Sequence, residues 1–166
     1  MTEAIDLFKA KAFIKRIENR FLFRFFLWVK LPVAFWCGVK LIHIDLSKSI
    51  TTVPFKRLTQ NPFKSTYFAC LAMAAELSTG IFPLIAIQAA TKKVSMLVVK
   101  LEAEYFKKAT SITYFTCADG EKIFKAIEQT ITTGKAVTIM CESVGKNAQD
   151  ELVAKFFLTW SFKVKS

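Results

Sequence analysis

The sequence predicts an α+β protein in which an antiparallel β-sheet wraps around one long apolar central helix, with extra N-terminal helices. Residues 66–90 form a run of mostly apolar positions with one charged side chain, Glu76. Most segments after Lys92 alternate apolar and polar residues, as strands with one buried face do. The 166 residues suffice for a substantial core, so we expect a single domain over residues 1–166.

Residues 1–38 precede the predicted core, residues 39–166, and repeat apolar side chains at helical spacing. This pattern predicts one or two amphipathic helices, with Pro32 ending the first and a short segment running to Gly38. Lysines and arginines lie between the apolar positions. Two interpretations stay open: these helices pack on the domain as a lid, or their basic face lies on an anionic membrane surface.

The apolar run 66–90 also has two interpretations, because its length suffices to span a bilayer. Pro83 and many small residues favour a helix that packs closely against a sheet. A lone spanning helix would also leave the predicted strands without a core. We therefore interpret the run as the buried central helix of a soluble domain.

Alternation along the rest of the chain predicts six strands and one further helix. The final strand shows the pattern most clearly, since almost all its apolar side chains lie on one face. Asp119 and Gly120 begin the further helix, and Gly134 ends it. The predicted strands are residues 39–46, 49–55, 94–107, 110–117, 135–144 and 152–164, and a polar loop at 56–66 leads into the central helix.

Composition and charge indicate the kinds of partner. The 53% hydrophobic content, with 17 phenylalanines, predicts apolar surface kept for a ligand, a second subunit or a membrane, and we expect a homodimer. A net charge of +11 favours partners that carry phosphate. The basic residues are scattered and follow no nucleic-acid-binding motif, so we expect no nucleic-acid partner.

The cysteines and the single histidine predict no metal site. Cys37, Cys70, Cys117 and Cys141 are far apart in sequence and form neither a metal-binding pair nor a disulfide pattern. His43 lies in a predicted strand, where a structural role is the simpler interpretation. Without a secretory leader pattern, this cysteine usage predicts a reduced, cytoplasmic compartment.

One segment carries a family resemblance. Residues 61–69, with the sequence NPFKSTYFA, stand ahead of a helix that contains Glu76. This arrangement resembles the hotdog-fold acyl-CoA thioesterase superfamily, and more closely an uncharacterised branch of phenylacetate-type thioesterase-like proteins. The resemblance covers residue 39 to the C-terminus. It implies a hotdog fold, a homodimer or dimer of dimers, and hydrolysis of a fatty or aromatic acyl-CoA, with coenzyme A as part of the substrate and no other cofactor.

The resemblance also implies roles for single residues. Asn61 and Glu76 keep the family's interval of fifteen residues between its asparagine and its acid. By likeness, Glu76 is the general base or nucleophile, Asn61 places the water or thioester, and the Phe68 backbone N–H polarises the carbonyl. The implied substrate contacts are Ser65, Tyr67, Phe68 and Ser95, with Val98 as the alternative to Ser95, and Lys107 and Lys108 could meet the phosphates of coenzyme A.

The segment departs from the family pattern at three places. Tyr67 stands where the family has histidine, residues 68–69 replace two glycines, and Lys64 replaces a loop glycine. These changes favour a second hypothesis, a non-catalytic acyl or lipid carrier. The simpler interpretations are that Glu76 pairs with a basic neighbour such as Lys100 or bonds across a dimer, that Asn61 caps its loop, and that the two lysines are a solvated strand end.

Overall fold

The computed structural model describes residues 4–165, which form five helices and six strands. Three helices precede the first strand, and the apolar run forms one long helix between the second and third strands. The elements are α1 Leu7–Glu18, α2 Arg20–Lys30, α3 Pro32–Cys37, β1 Lys40–Ile44, β2 Ser49–Val53, α4 Phe68–Gln88, β3 Val94–Tyr105, β4 Thr113–Cys117, α5 Gly120–Thr133, β5 Val137–Lys146 and β6 Leu152–Val164.

The six strands form one antiparallel sheet in the order β1-β2-β4-β5-β6-β3. The long β3 therefore lies at one edge, next to the last strand of the chain, β6. Helix α4 packs against β2, β4, β5 and β6, and α5 packs against α4, β5 and β6. This arrangement confirms the predicted α+β class, with a sheet around one central helix.

Helix α4 is the core of the protein. Among the described residues it is the one helix long and apolar enough to cross a bilayer, but 72% of its most apolar window is buried within the protein. Alanine, serine, threonine and glycine fill much of its buried surface, which allows close approach to the sheet. The burial confirms the interpretation of residues 66–90 as a central helix.

Hydroxyl groups fix α4 to the sheet. Ser49 donates a hydrogen bond to the carbonyl of Ser78, and Thr51 donates one of 2.6 Å to the carbonyl of Ala74. The hydroxyls of Ser78 and Ser143 are 2.7 Å apart, which joins the helix to β5. Because buried polar groups are costly without partners, these bonds hold α4 in one register on the sheet.

The N-terminal segment forms three helices, not the one or two predicted. Asn19 separates α1 from α2, because its Oδ1 accepts hydrogen bonds from the N–H groups of Phe21 and Leu22 and so caps α2. Pro32 begins α3, where its missing N–H costs nothing, and Gly38, at φ +80°, ends it. The capping signal of Asn19 is visible in the sequence and was missed.

The N-terminal helices connect the two ends of α4: α1 and α3 contact α4, whereas α2 contacts α1, α3 and β1. The Asp6 N–H donates to the Ala89 carbonyl, and the Thr91 N–H donates to the Ala4 carbonyl, so α1 starts beside the C-terminal end of α4. At the other end, the Sγ of Cys37 is 3.8 Å from that of Cys70 in the first turn of α4. Their inner side is buried, as the predicted lid requires.

Gly120, the first residue of α5, is packed closely against its neighbours. A Cβ atom at Gly120 would lie 2.4 Å from the backbone oxygen of Leu46 and 2.7 Å from the Phe82 ring. Gly120→Ala should therefore lower the free energy of unfolding by roughly 1–3 kcal/mol, because backbone must move. Chemical denaturation of this variant beside the exposed control Glu121→Ala measures it, and equal stability of the two would refute the close contact.

Candidate functional site

The loop before α4 is organised around the side chain of Asn61. Its Oδ1 accepts hydrogen bonds from the Phe63 N–H (3.0 Å), the Ser65 N–H (3.2 Å) and the Ser65 hydroxyl (3.2 Å). The interpretation of Asn61 as a loop cap is therefore confirmed. No acceptor for its Nδ2 is found within residues 4–165, so the amide nitrogen is left to donate elsewhere.

Lys64 lies at the tip of the same loop in a left-handed backbone conformation, with φ of 57°. Side chains with a Cβ adopt this conformation at a cost of roughly 1–2 kcal/mol, whereas glycine does not pay it. At the position where the resemblance implies glycine, the loop thus has a conformation that glycine adopts without strain. Lys64 does not distort the start of α4.

Hydrogen bonds from Thr66 hold the loop against the chain that follows β3, and one from Tyr67 closes the loop on itself. The backbone N–H and the hydroxyl of Thr66 both donate to the carbonyl of Ala109, at 2.8 and 3.0 Å. The Tyr67 N–H donates to the carbonyl of Thr59 at 2.6 Å. These bonds place the first turn of α4 beside residues 105–109.

A cleft of about 480 Å³ lies between these segments. It contains three of the predicted site residues, Asn61, Ser65 and Phe68, together with the two lysines predicted to meet phosphate. Tyr105, Phe106 and Ala109 were not predicted, because the Thr66–Ala109 hydrogen bonds bring their segment to the start of α4. The full lining is Asn61, Ser65, Thr66, Phe68, Leu71, Tyr105, Phe106, Lys107, Lys108 and Ala109.

The cleft is electropositive. Phe68 is the first residue of α4, which has no side-chain cap, and no acceptor for the N–H groups of Phe68 or Ala69 is found in the described part of the chain. Such free N–H groups at a helix start carry partial positive charge and favour an oxyanion or phosphate. The Nζ of Lys107 is 2.6 Å from Oε1 of Glu151, so this lysine forms an ion pair. Among residues 4–165, no acid forms an ion pair with Lys108.

Glu76 lies outside this cleft, two turns further along α4. Eight residues separate it from Phe68, which is about 12 Å along a helix axis. A Cβ atom at Gly80 would be 2.9 Å from Glu76 Oε1 and 3.1 Å from Cζ2 of Trp160. The carboxylate therefore points toward the C-terminal end of α4, above β6 and away from Phe68.

The carboxyl group of Glu76 is half-buried, and burial raises its pKa above the usual range. Residues 4–165 supply no ion-pair partner for it. The alternative that Lys100 pairs with Glu76 is wrong, because Lys100 Nζ is 3.0 Å from Glu102 Oε1 on the charged face of β3. Burial thus shifts the pKa of this acid upward, the direction that favours a general base at neutral pH.

Two of the predicted contacts do not reach the cleft. Tyr67 is partly exposed, and its ring meets the edge of the Phe68 ring at a centroid distance of 4.8 Å. Ser95 lies at the opposite end of β3 from Tyr105 and donates its hydroxyl to the Lys163 carbonyl at 3.0 Å. Val98, the alternative to Ser95, stands where the β3 register shifts at a bulge, pairs with Trp160 and is also outside the cleft.

The remaining chemistry-bearing side chains have structural surroundings. His43 Nε2 is 3.0 Å from Asp45 Oδ2 on an exposed turn. Burial raises the pKa of the Cys70, Cys117 and Cys141 thiols to about 12, so none is a nucleophile at neutral pH. No cluster of three metal-ligating side chains occurs among the residues described. A second groove of about 940 Å³ between the start of α1 and α5 holds no predicted site residue.

Comparison with known proteins identifies the fold. No family model and no curated protein matches the sequence. A structure from Pseudomonas aeruginosa, described as a probable thioesterase, is 16% identical, with a TM-score of 0.66 over 78% of this chain and 85% of that one. A Chlorobaculum tepidum protein of unknown function is also 16% identical, with a TM-score of 0.72 over 86% and 92% of the two chains.

A thioesterase from Haemophilus influenzae is 13% identical, with a TM-score of 0.54 over 77% of this chain and 80% of that one. Identities this low establish the fold alone. The chain has the hotdog fold that the resemblance implied, with α4 as its central helix.

The left-handed residue in the loop provides a test of the site's geometry. Lys64→Gly should raise the free energy of unfolding by roughly 0.5–1 kcal/mol, because the relief of backbone strain exceeds the added entropy of the unfolded chain. Thermal and chemical denaturation measure this change. Lys93 is not among the residues of the described chain that have a positive φ, so the control Lys93→Gly should lower the free energy of unfolding. If both variants are less stable than the parent, the left-handed conformation assigned to Lys64 is contradicted.

The buried acid predicts a pH dependence of stability. Because the pKa of Glu76 is raised by folding, the folded chain binds more protons, and stability falls as pH rises through the raised pKa. Glu76→Gln should therefore gain stability relative to the parent at about pH 8 but not at about pH 4. Denaturation at both pH values measures it beside Glu104→Gln, an exposed control on β3. The same shift at both pH values would contradict a raised pKa.

Proposed function

We propose that this protein hydrolyses a fatty or aromatic acyl-CoA thioester at the cleft where α4 begins. The observation that carries the proposal is the unpaired N–H of Phe68, a residue that lines the cleft together with Asn61 and Lys108. An N–H at a helix start stabilises negative charge that develops on a thioester oxygen. The free Asn61 amide would orient the thioester or the water, and Lys108 would meet a phosphate of coenzyme A.

In this reaction water adds to the thioester carbon, the carbon–sulfur bond breaks, and the thiolate of coenzyme A leaves with a proton. Glu76 would accept the proton from the attacking water, or attack the carbon itself. Its raised pKa suits the first role. Reaction geometry requires the acid and the N–H donor within about 3 Å of the reacting group, which the Phe68 and Glu76 of one chain do not satisfy.

A second copy of the chain would bring a carboxylate and an N–H donor to the same substrate. Strand β3 is a 12-residue edge strand, and the backbone of such an edge is open to pairing with another strand. Leu101 and Tyr105 point to the same side of the sheet as the buried residues of β6 that they pair with, yet both are exposed. We therefore infer an antiparallel homodimer through β3, in which Glu76 of one protomer acts with the Phe68 N–H of its partner.

The role of the Phe68 N–H is tested by a proline. Phe68→Pro removes only this N–H from the backbone, because proline is well tolerated at the first helical position and Tyr67, at φ −60° and ψ 133°, suits a residue before proline. Turnover of an acyl-CoA panel should fall roughly 10²–10³-fold. Phe68→Ala, which keeps the N–H and removes the ring, is the control and should retain activity; similar activities for the two variants would refute the role.

Coexpression of Glu76→Gln with Phe68→Pro tests whether the site spans two protomers. Each variant alone should be inactive. In a mixed dimer one site keeps both intact groups, so a random mixture should recover about a quarter of the parental activity. Recovery that stays at the level of the single variants would show that both groups act within one chain, or that neither takes part.

The alternative is a non-catalytic acyl or lipid carrier with the same cleft. Phe68 favours this alternative, because its ring lines the cleft where the thioesterase pattern has glycine and narrows the approach to the backbone. Mass spectrometry of ligands that copurify with the protein, beside an acyl-CoA hydrolysis screen, separates the two functions. Bound fatty acid without turnover supports a carrier, and turnover that depends on Glu76 supports the hydrolase.

Several finer expectations remain predictions. They are the closer relation to phenylacetate-type thioesterases, assembly as a dimer of dimers, a cytoplasmic location, and the absence of a nucleic-acid partner.

A further inference from the structure

The outer surface of the N-terminal helices is unusually apolar. Helix α2 buries Phe23 and Leu27 against the domain, at 3% and 0% exposure. Successive residues of a helix are rotated by about 100°, which places Phe21, Phe25 and Trp28 on the opposite side. These three side chains are 87%, 61% and 53% exposed.

The exposed apolar surface continues beyond the aromatic residues of α2. Leu22 and Val29 lie beside them on the same outer side of α2, and Val33 and Trp36 of α3 are also exposed. We call this set the outer aromatic face: Phe21, Leu22, Phe25, Trp28, Val29, Val33 and Trp36. Monomeric proteins rarely leave so many large apolar side chains in contiguous exposure, so this face requires a partner.

Charge identifies the partner. The chain has no aspartate or glutamate between Glu18 and Asp45, whereas Arg20, Arg24 and Lys30 of α2 lie in that interval. Over residues 4–38, seven lysines and arginines oppose two acids, so this segment alone carries +5 of the net charge. On the preceding α1, exposed Lys15 and Arg16 lie on the side opposite its buried Ala10, Ile14 and Ile17, and exposed Lys9 and Lys11 lie at the flanks.

We infer that the outer aromatic face binds the surface of an anionic phospholipid bilayer. Tryptophan and phenylalanine partition into the boundary between headgroups and acyl chains, and neighbouring cations are attracted to acidic lipid. The inner side of α2 is buried against the domain, so the helix lies on the membrane and does not cross it. The inference does not depend on the proposed hydrolysis.

A second copy of the chain fits this face poorly. A two-fold contact would bring the same arginines and lysines of both copies together, and the segment 19–44 has no carboxylate to compensate them. An anionic lipid surface supplies both the apolar medium and the opposite charge. An anionic bilayer therefore matches both the apolar side chains of the outer aromatic face and the positive charge around it.

The location of the face relates it to the cleft. Helix α3 ends at Cys37, whose Sγ is 3.8 Å from that of Cys70 in the first turn of α4. The membrane-bound helices would thus adjoin the helix start that lines the cleft. An acyl ligand held in a bilayer would have a short path to this site.

Vesicle binding tests the inference on the full chain. The protein should cosediment with vesicles of mixed phosphatidylcholine and phosphatidylglycerol at about 0.05 M salt, and much less at about 0.5 M salt or with phosphatidylcholine alone. Trp28 and Trp36 should show a blue shift in fluorescence on binding, because they enter a less polar medium. No binding to anionic vesicles at low salt would overturn the inference.

Two pairs of substitutions locate the bound surface. Phe25→Ser with Trp28→Ser removes exposed rings of α2, and Lys15→Glu with Arg16→Glu reverses two exposed charges on the outer side of α1; each pair should weaken binding at least about tenfold. Arg24 is kept, because its guanidinium lies 4.5 Å from the centre of the Phe35 ring and stabilises the fold. Circular dichroism and thermal melting confirm that each variant is folded.

Matched controls separate this face from the general positive charge of the chain. Met140→Ser changes an exposed apolar residue on β5, and Lys93→Glu with Lys163→Glu reverses two charges at the far end of β3 and β6. Controls that weaken binding as much as the α1 and α2 variants would overturn the assignment. So would a Phe25→Ser/Trp28→Ser variant that loses a dimer in sedimentation velocity while binding vesicles like the parent.

Discussion

The contact between α4 and the sheet is the constraint on which the rest of the structure depends. Small side chains let the helix approach closely, and hydroxyls of Ser49, Thr51 and Ser143 bond to it from β2 and β5. This contact sets the register of the helix, and therefore the place where its first N–H groups emerge. The cleft exists because the helix begins there, beside the chain that leaves β3.

The same close packing explains why Glu76 is exceptional. A carboxylate above β6 has no ion pair within residues 4–165, and its burial disfavours the charged form. Such a group lowers the free energy of unfolding at neutral pH, and groups of this kind are common at functional sites. The exposed edge of β3 lies only one strand from Trp160, so a second copy bound there would enclose this acid further.

Much of the fold follows from local patterns. The last strand was predicted at 152–164 and forms at Leu152–Val164, because strict alternation leaves one face apolar along its whole length. The break at Asn19 was missed, since apolar spacing alone continues through it. The meeting of residues 105–109 with the start of α4 could not be predicted, because the Thr66–Ala109 bonds join residues 43 positions apart. Asn61 and Glu76 were both predicted from the sequence as site residues. Their separation follows from the three-dimensional structure, in which Asn61 lines the cleft and Glu76 does not.

The most direct test follows the backbone amide signals of the folded protein by NMR while a non-hydrolysable acyl-CoA thioether is added. If the thioester binds at the start of α4, the largest amide shifts occur at Phe68 and Ala69, with further shifts at residues 105–109 across the cleft. Shifts confined to the groove between α1 and α5, or none at saturating ligand, would contradict a thioester site at the start of α4.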